Sequence, residues 1–390
     1  MPRPSSKHVA EKAGVSTATV SHVINSTRFV SDETRQKVLD AIAVLSYRPN
    51  AIARGLVTNS TRIVGLVVSD ITNPFFTAVA RGVEDEMISH GYNTIFCNTD
   101  EDPAREENYL HLLATQQIDG LIIAPTGVRC ESLIALAASN VPIVQLDRRT
   151  PSLEAPVVGV NNEEGAFQAI RYLIRLGHRR IAYLMGIETV STQIDRLNGW
   201  KRALREADLP VDDELIVRAD PRFYGIMPST SGFVVRPAPH HQALPSAYEV
   251  LQDLLKLPQH PSAIFVATNQ LTLGTLYAFR ECGLRCPEDV SLISFDDHDW
   301  APLFSPPLTV VRQPTYRLGQ SAAHLLMRMI NGELVEAPPP LSVELVVRAS
   351  CGAPPVGVAW LSDGRKPTSE NPSQEHKQEH KKEVVIESSH

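Results

Sequence analysis

The sequence is poor in cysteine, and the few it has are not spaced as partners. Cys97, Cys130, Cys282, Cys286 and Cys351 are odd in number and scattered over 390 residues, with no C-x-x-C pair. Neither a disulfide framework nor a zinc ribbon is favoured, and reduced, mostly buried thiols are expected. No apolar run approaches membrane-spanning length, and the opening MPRPSSKHVAEKAG lacks the apolar core of a secretory signal. A cytoplasmic protein is therefore predicted. Also missing are G-x-G-x-x-G, G-x-x-x-x-G-K-[ST], G-x-S-x-G and H-E-x-x-H. Catalysis, a cofactor and a metal centre are not expected, although a nucleophile assembled from distant residues would leave no such signature. His376 and His380 have the i, i+4 spacing of metal ligands but read as solvated side chains of a polar tail.

What is present is the balance of a globular chain, 43% hydrophobic and 21% charged. Its length exceeds one ordinary core, so a small unit plus a large one, or three similar units, is expected. The net charge of −7 argues by itself against a nucleic-acid partner, but its distribution reverses that. Residues 1–62 hold nine Lys and Arg against four acids, and the remainder carries −12. A basic head on an acidic body concentrates attraction for phosphate in one place.

Residues 1–48 contain three short helical patterns and no strand, closed by Arg48-Pro49-Asn50, where proline stops the preceding helix. Residues 49–61 form a connecting segment. From residue 62 to about 351, short apolar runs (RIVGLVV, NTIFCN, DGLIIAP, VPIVQLD, VVGV, RIAYLMG, SAIFVAT, VSLISFDD) alternate with amphipathic helices over 75–90, 104–116, 130–139, 163–176, 195–207 and 270–282. That rhythm predicts parallel sheets flanked by helices, with ligands at the carboxyl ends of strands. Residues 221–246 break it with Pro, Gly and Ser and read as a long loop; residues 352–390 read as a disordered tail.

Within the head, Ser5 can cap a first helix through Ala13, Gly14 can supply the turn, and Ser16 can cap a second helix. That second helix turns Val20, Val23 and Ile24 inward and Ala18, Ser21, His22 and Asn25 outward. Ser31 opens a third, with Val38, Ile42 and Leu45 at i, i+4, i+7. Any three-helix bundle could show this period, but the letters say more. HVAEKAGVSTATVSHVIN, then FVSDETRQKVLDAIAVLSYRPNAIARGL, resembles the head of the LacI/GalR repressor family, the VSTATVSHVINSTRFVS stretch being most similar to its purine and ribose repressors. The resemblance implies an all-α helix-turn-helix head in which Thr17, Ala18 and His22 face base edges. Ser5, Ser16, Thr19, Ser21 and Asn25 would mainly hold phosphates. Ser6 stands where the family usually has an apolar residue and His8 where it usually has Asp, which predicts weaker packing of the first helix. Asn50, Ala53 and Leu56 share one face of what would otherwise be a plain linker; the resemblance implies a hinge helix that forms on DNA and drives Leu56 into the minor groove.

The resemblance continues through SDITNPFF, NTDEDPAREENYLHLL, IDGLIIAP, VPIVQLDR, GHRRIAYL, DRLNGW, TNQLTLG, DVSLISFDD and SPPLTVVRQP. It implies an α/β, two-lobed, periplasmic-binding-protein-like body crossed three times by the chain, with an effector between the lobes. Strand ends offer Asp70, Phe75, Phe76, Asp147, Arg148, Asn269 and Asp296, with Arg196 in DRLNGW and Phe223 in the irregular stretch. Charged groups beside an aromatic surface suit a sugar or nucleoside-like ligand, although any one charge alone is more often a surface ion pair. The implied partners are a pseudo-palindromic operator, a small-molecule effector and a second copy in a homodimer. An enzyme, or a carrier with a vestigial head, are the alternatives.

Overall fold

The computed structural model describes residues 4–25, 28–47, 60–151, 153–220, 224–229, 232–236 and 245–355, the two segments between 224 and 236 by their backbone alone. The head holds α1 (Ser6–Ala13), α2 (Thr17–Asn25) and α3 (Asp32–Leu45). Gly14 turns between the first two at φ 68°, a left-handed value that an L side chain rarely adopts. The Ser16 hydroxyl takes the Thr19 N–H at 3.1 Å and so starts α2. Val9, Val20 and Val38, one from each helix, are wholly buried against one another. Ser6 and His8 do not weaken this packing, because both are exposed. His8 instead caps its own helix, Nδ1 accepting from the Ser5 N–H at 3.0 Å and lying 2.8 Å from the Ser5 hydroxyl.

The body is two parallel sheets. The first lobe has β1 (Ile63–Val68), β2 (Asn93–Asn98), β3 (Gly120–Ile123), β4 (Ile143–Leu146) and β5 (Val157–Val158), in the order β2-β1-β3-β4-β5. In the second, β6 (Ile181–Met185), β7 (Ile216–Arg218), β10 (Ala263–Val266), β11 (Ser291–Phe295), β12 (Thr309–Arg312) and β13 (Glu344–Val346) run β13-β12-β11-β10-β6-β7, with only β13 antiparallel. Near-continuous apolar runs such as IVGLVV are what a parallel strand covered on both faces requires. In the first lobe α4 (Pro74–Ser89) lies on one face, with α5 (Pro103–Thr115) and α6 (Glu131–Ala138) on the other. In the second, Trp200, Tyr183, Phe265 and Phe295 centre the core, enclosed by α7 (Asn162–Arg175), α8 (Ser191–Glu206), α9 (Ala247–Lys256) and α10 (Asn269–Glu281).

The chain passes from the first lobe to the second after β5, returns after β12 to place α11 (Thr315–Ile330) on the first lobe, and leaves again past Leu341. Two of these crossings are bonded together: Asn161 N–H donates to Leu341 O at 3.0 Å, and Leu341 N–H to Gly159 O at 2.9 Å. Helix α11 meets α4 through facing glycines. A Cβ at Gly319 would stand 2.0 Å from Val79 O, and one at Gly82 2.2 Å from Tyr316 O.

Several expectations need correction. Residues 221–246 are not a plain loop, since β8 (Tyr224–Ser229) and β9 (Gly232–Arg236) pair as an antiparallel hairpin; Pro228 and flanking Gly and Ser masked its alternation. The body begins before residue 62: the Asp119 carboxylate accepts from Ser60 Oγ and from the N–H groups of Thr61 and Arg62. It also extends past 351. His178 Nε2 donates to Gly352 O at 2.9 Å, which leaves Nδ1 to accept from Ser262 Oγ at 2.8 Å, and Gly352 N–H donates to Ser291 Oγ at 3.0 Å. Burial holds His178 below the ordinary histidine range, consistent with a neutral ring. All five cysteines are free. Among the described residues no helix is long and apolar enough to cross a membrane.

Candidate functional site: the head and the cleft between the lobes

On α2, Thr17, Ala18 and Ser21 are exposed while Thr19 and His22 are half-buried. Thr19 Oγ1 sits 2.9 Å from Ser16 Oγ, so these two hydroxyls brace the start of the helix that carries the exposed face. The side chain of Asn25 and all of Asn50, Ala53, Leu56 and Phe223 lie outside the described residues.

The cleft forms where strand ends of both lobes converge. Asp147 follows β4 and Asp296 follows β11, both in left-handed backbone, at φ 62° and 78°. For a non-glycine residue that conformation costs on the order of 1 kcal/mol or more, and such strain gathers at functional sites. Asp296 accepts from Gln313 Nε2. Asp147 Oδ1 is buried without a hydrogen-bond partner. Burial pushes the Asp147 acid up to about 6, against the pull of Arg148 and Arg196. An acid whose folded pKa lies above its unfolded value withdraws stability as pH rises from about 4 to 6, and it regains it when a ligand donates to the carboxylate. The affinity of an effector whose hydroxyl bonds Asp147 should therefore fall as pH drops below 6, by at most about tenfold per unit. Calorimetry between pH 5 and 8 checks this, and a flat profile would remove Asp147 from the contact.

The arginines are held rather than loose. Arg148 makes a two-point pair with Glu101, both bonds 2.8 Å, and lies over the Phe76 ring. Phe76 itself belongs to the first-lobe core, so its link to the cleft runs through that guanidinium. Arg196 donates through Nε to Asn162 Oδ1 at 2.7 Å and through Nη1 to Ala267 O at 2.6 Å, with its guanidinium carbon 3.6 Å from the Phe295 ring centroid.

Sequence reasoning missed several residues that the fold brings in. A cavity of about 420 Å³ is bounded by Phe75, Asn269, Asp296, His298, Trp300 and Gln313. His298 and Trp300 stack at 4.8 Å with 11° between their planes. Asn73 Oδ1 accepts from Asn269 Nδ2 at 2.7 Å and Asp70 from Gln270 Nε2, joining the lobes beside this cavity. Elsewhere Arg149 and Asp195 join them by a two-point pair at 2.7 and 2.8 Å, and the Arg149 N–H donates to Ser191 Oγ at 3.0 Å. Trp300, four residues past the Asp296 strand end, was the one signal available. Among the described residues no group of His, Cys, Asp and Glu could hold a metal ion.

A helix-turn-helix head carried on a two-lobed body with a polar cleft is the build of a ligand-controlled DNA-binding protein. Residues 7–50 match bacterial regulatory proteins of the lacI family, residues 61–240 the periplasmic binding proteins and sugar binding domain of the LacI family, and residues 170–351 a periplasmic binding protein-like domain. The HTH-type transcriptional repressor PurR of Photobacterium profundum is 36% identical over 346 residues, 88% of this chain and 97% of that protein. The lac repressor dimer bound to operator and the anti-inducer ONPF superposes with a TM-score of 0.74 at 27% identity, covering 90% of this chain and 100% of the other. A complex of the transcriptional regulator CelR with cellobiose gives 0.64 at 30%, covering 89% and 100%. The chain belongs to the LacI family of bacterial transcriptional regulators.

Proposed function

We propose that the protein represses transcription as a homodimer on a pseudo-palindromic operator, and that a small molecule such as a sugar or nucleoside, bound between the lobes, controls it. The observation that carries the effector half is the set of buried polar atoms left without partners where the two lobes meet: Asp147 Oδ1, Arg148 Nε, Asn269 Oδ1 and Gln313 Oε1. Unpartnered groups of this kind cost roughly 1 to 3 kcal/mol each, and a hydroxylated ligand satisfies them. The operator half rests on the basic head and the exposed Thr17, Ala18 and Ser21. Ser5, Ser16, Thr19, Ser21 and Asn25 would mainly hold phosphates, and Asn50, Ala53 and Leu56 would form the hinge that enters the minor groove. The lac repressor structure shows a dimer on its operator, and the CelR structure holds cellobiose, which supports both halves by likeness.

Footprinting of genomic fragments, repeated across salt concentrations, tests the operator reading. A protected pseudo-palindrome whose affinity falls steeply with salt is expected, since each phosphate contact releases counterions. Non-specific coating at every salt would sink it. His22→Ala should relax preference at one base pair of each half-site, costing about 1 to 3 kcal/mol there. Binding measured on single-base operator variants checks this, and an equal loss on all of them would put His22 on the backbone.

A further inference from the structure

We propose that residues 383–387 of this chain (EVVIE) add as a further strand to the open edge of β7, in the groove between α8 and α9 on the second lobe. The backbone of that edge and the side chains around it both call for a strand, and the sequence supplies one.

Strand β7 ends the order β13-β12-β11-β10-β6-β7 and so has a neighbour on one side only. Ala219 N–H donates to Met185 O at 3.0 Å, and because alternate residues of a parallel strand turn to the same neighbour, Val217 faces β6 as well. Arg218 then turns its N–H and C=O outward. Apolar side chains line the same edge, where a cavity of about 690 Å³ brings together Ile194 and Leu197 of α8, Ile216 and Val217 of β7, and Val250 of α9. Ile194 is left 45% exposed. An open edge with apolar flanks is a template for another strand. Since α8 and α9 both contribute to the groove, a strand lying in it is covered on both faces, and such strands carry unbroken apolar runs rather than alternating ones, as IVGLVV does in β1.

Residues 356–390 lie outside the described residues, and within them 362–383 contain no hydrophobic side chain at all. Val384, Val385 and Ile386 then follow one another. Three successive β-branched residues favour an extended backbone, and their lack of alternation matches an edge covered on both faces. The charges agree. Lys381 and Lys382, then Glu383, precede the run and Glu387 follows it; Asp213, Asp253 and Lys201 border the groove, Asp253 being shared with Lys256 of its own helix. The described chain also ends on this lobe, where Gly352 N–H is bonded to Ser291 Oγ. From Pro355 to Val384 the chain spans roughly 30 Å on average and about 90 Å when drawn out, enough to reach any point of the lobe. A tether of that length holds the segment at a local concentration on the order of 1 mM, so a contact too weak for a free peptide is still populated.

Amide hydrogen exchange tests this on the full-length protein, on a chain ending at residue 380, and on full-length Ile386→Asp. The Arg218 amide should exchange at least about tenfold more slowly in the full-length protein than in either variant, while the Val217 and Ala219 amides, already turned to β6, change little. The free peptide of residues 381–390, added at millimolar concentration to the shortened chain, should restore the protection. Phe265, in the central strand β10, should stay protected throughout, which separates loss of one strand's cover from loss of the fold. Should shortening disturb the fold, Ile386→Asp carries the comparison. Equal Arg218 exchange in all three proteins would overturn the proposal, as would a peptide that protects other residues and leaves Arg218 untouched. Protection that fades on dilution of the full-length protein would put a second copy's segment on the edge and overturn its occupation by the same chain.

Discussion

Arg196→Ala is expected to abolish effector binding and to lower the stability of the second lobe by about 2 to 4 kcal/mol. Arg196 is 4% exposed, and its removal strips the buried Asn162 Oδ1 of its donor and leaves Ala267 O with the longer 3.4 Å bond from Gln193 Nε2. It also removes the cation held over Phe295, a contact worth about 2 kcal/mol when desolvated. Asn162 opens the first helix after the chain enters the second lobe, and Ala267 directly follows the strand that leads to Asn269. Arg196 therefore braces the floor of the cleft as well as its charge. Arg196→Lys keeps the charge but not the two-direction reach, and should recover only part of the stability. Urea midpoints report the stability and calorimetry the binding. A variant with unchanged midpoint and unchanged effector affinity would show that the guanidinium is peripheral to both.

Gly319→Ala sets two effects of opposite sign against each other. In a helix interior alanine is preferred over glycine by about 1 kcal/mol, so propensity alone forecasts a more stable protein. The new methyl group would, however, stand 2.0 Å from Val79 O and 2.9 Å from Val79 C. Backbone at that range cannot turn aside as a side chain can, and prying α11 off α4 is expected to cost about 3 kcal/mol, so the overlap wins. The thermal midpoint should drop by several degrees. A rise would mean that the two helices separate more easily than their packing implies.

The parts of this fold that were legible share one property: their signal is local. Gly14, Ser16 and the apolar positions of the head announce three helices because each cap or stripe acts within a few residues. Asp147 and Asp296 could be picked out because a charged residue ending a buried apolar run has nowhere to go but the strand's open end. Gln313, Asn73 and Gln270 carried no such mark. They are uncharged and border the cleft only because the chain crosses between lobes three times, a long-range arrangement no window of sequence contains. Helix α11, with Leu318, Ala322, Leu325 and Leu326 turned inward, was readable by its period and went unread because it follows the last apolar run of the strand series. The hairpin at 224–236 was hidden by residues that usually mark turns.

The placement of α11 also fixes an order of events during synthesis. The first lobe's sheet is laid down by residue 158, yet the helix that seals one face of its core, through Leu318, Ala322 and Leu326, is not translated until residue 330. At a bacterial ribosome's pace of about 5 to 20 residues per second, the part of that face beside α4 that α11 will cover stays open for many seconds after the strands emerge, while most of the second lobe is being made. The first lobe, begun first, is thus closed only shortly before the second, whose edge strand β13 ends at Val346. A transcript cut short before α11 yields a chain whose head can fold but whose first lobe cannot close, and a nascent chain stalled there displays a row of apolar strand faces to chaperones and to its neighbours on the polysome.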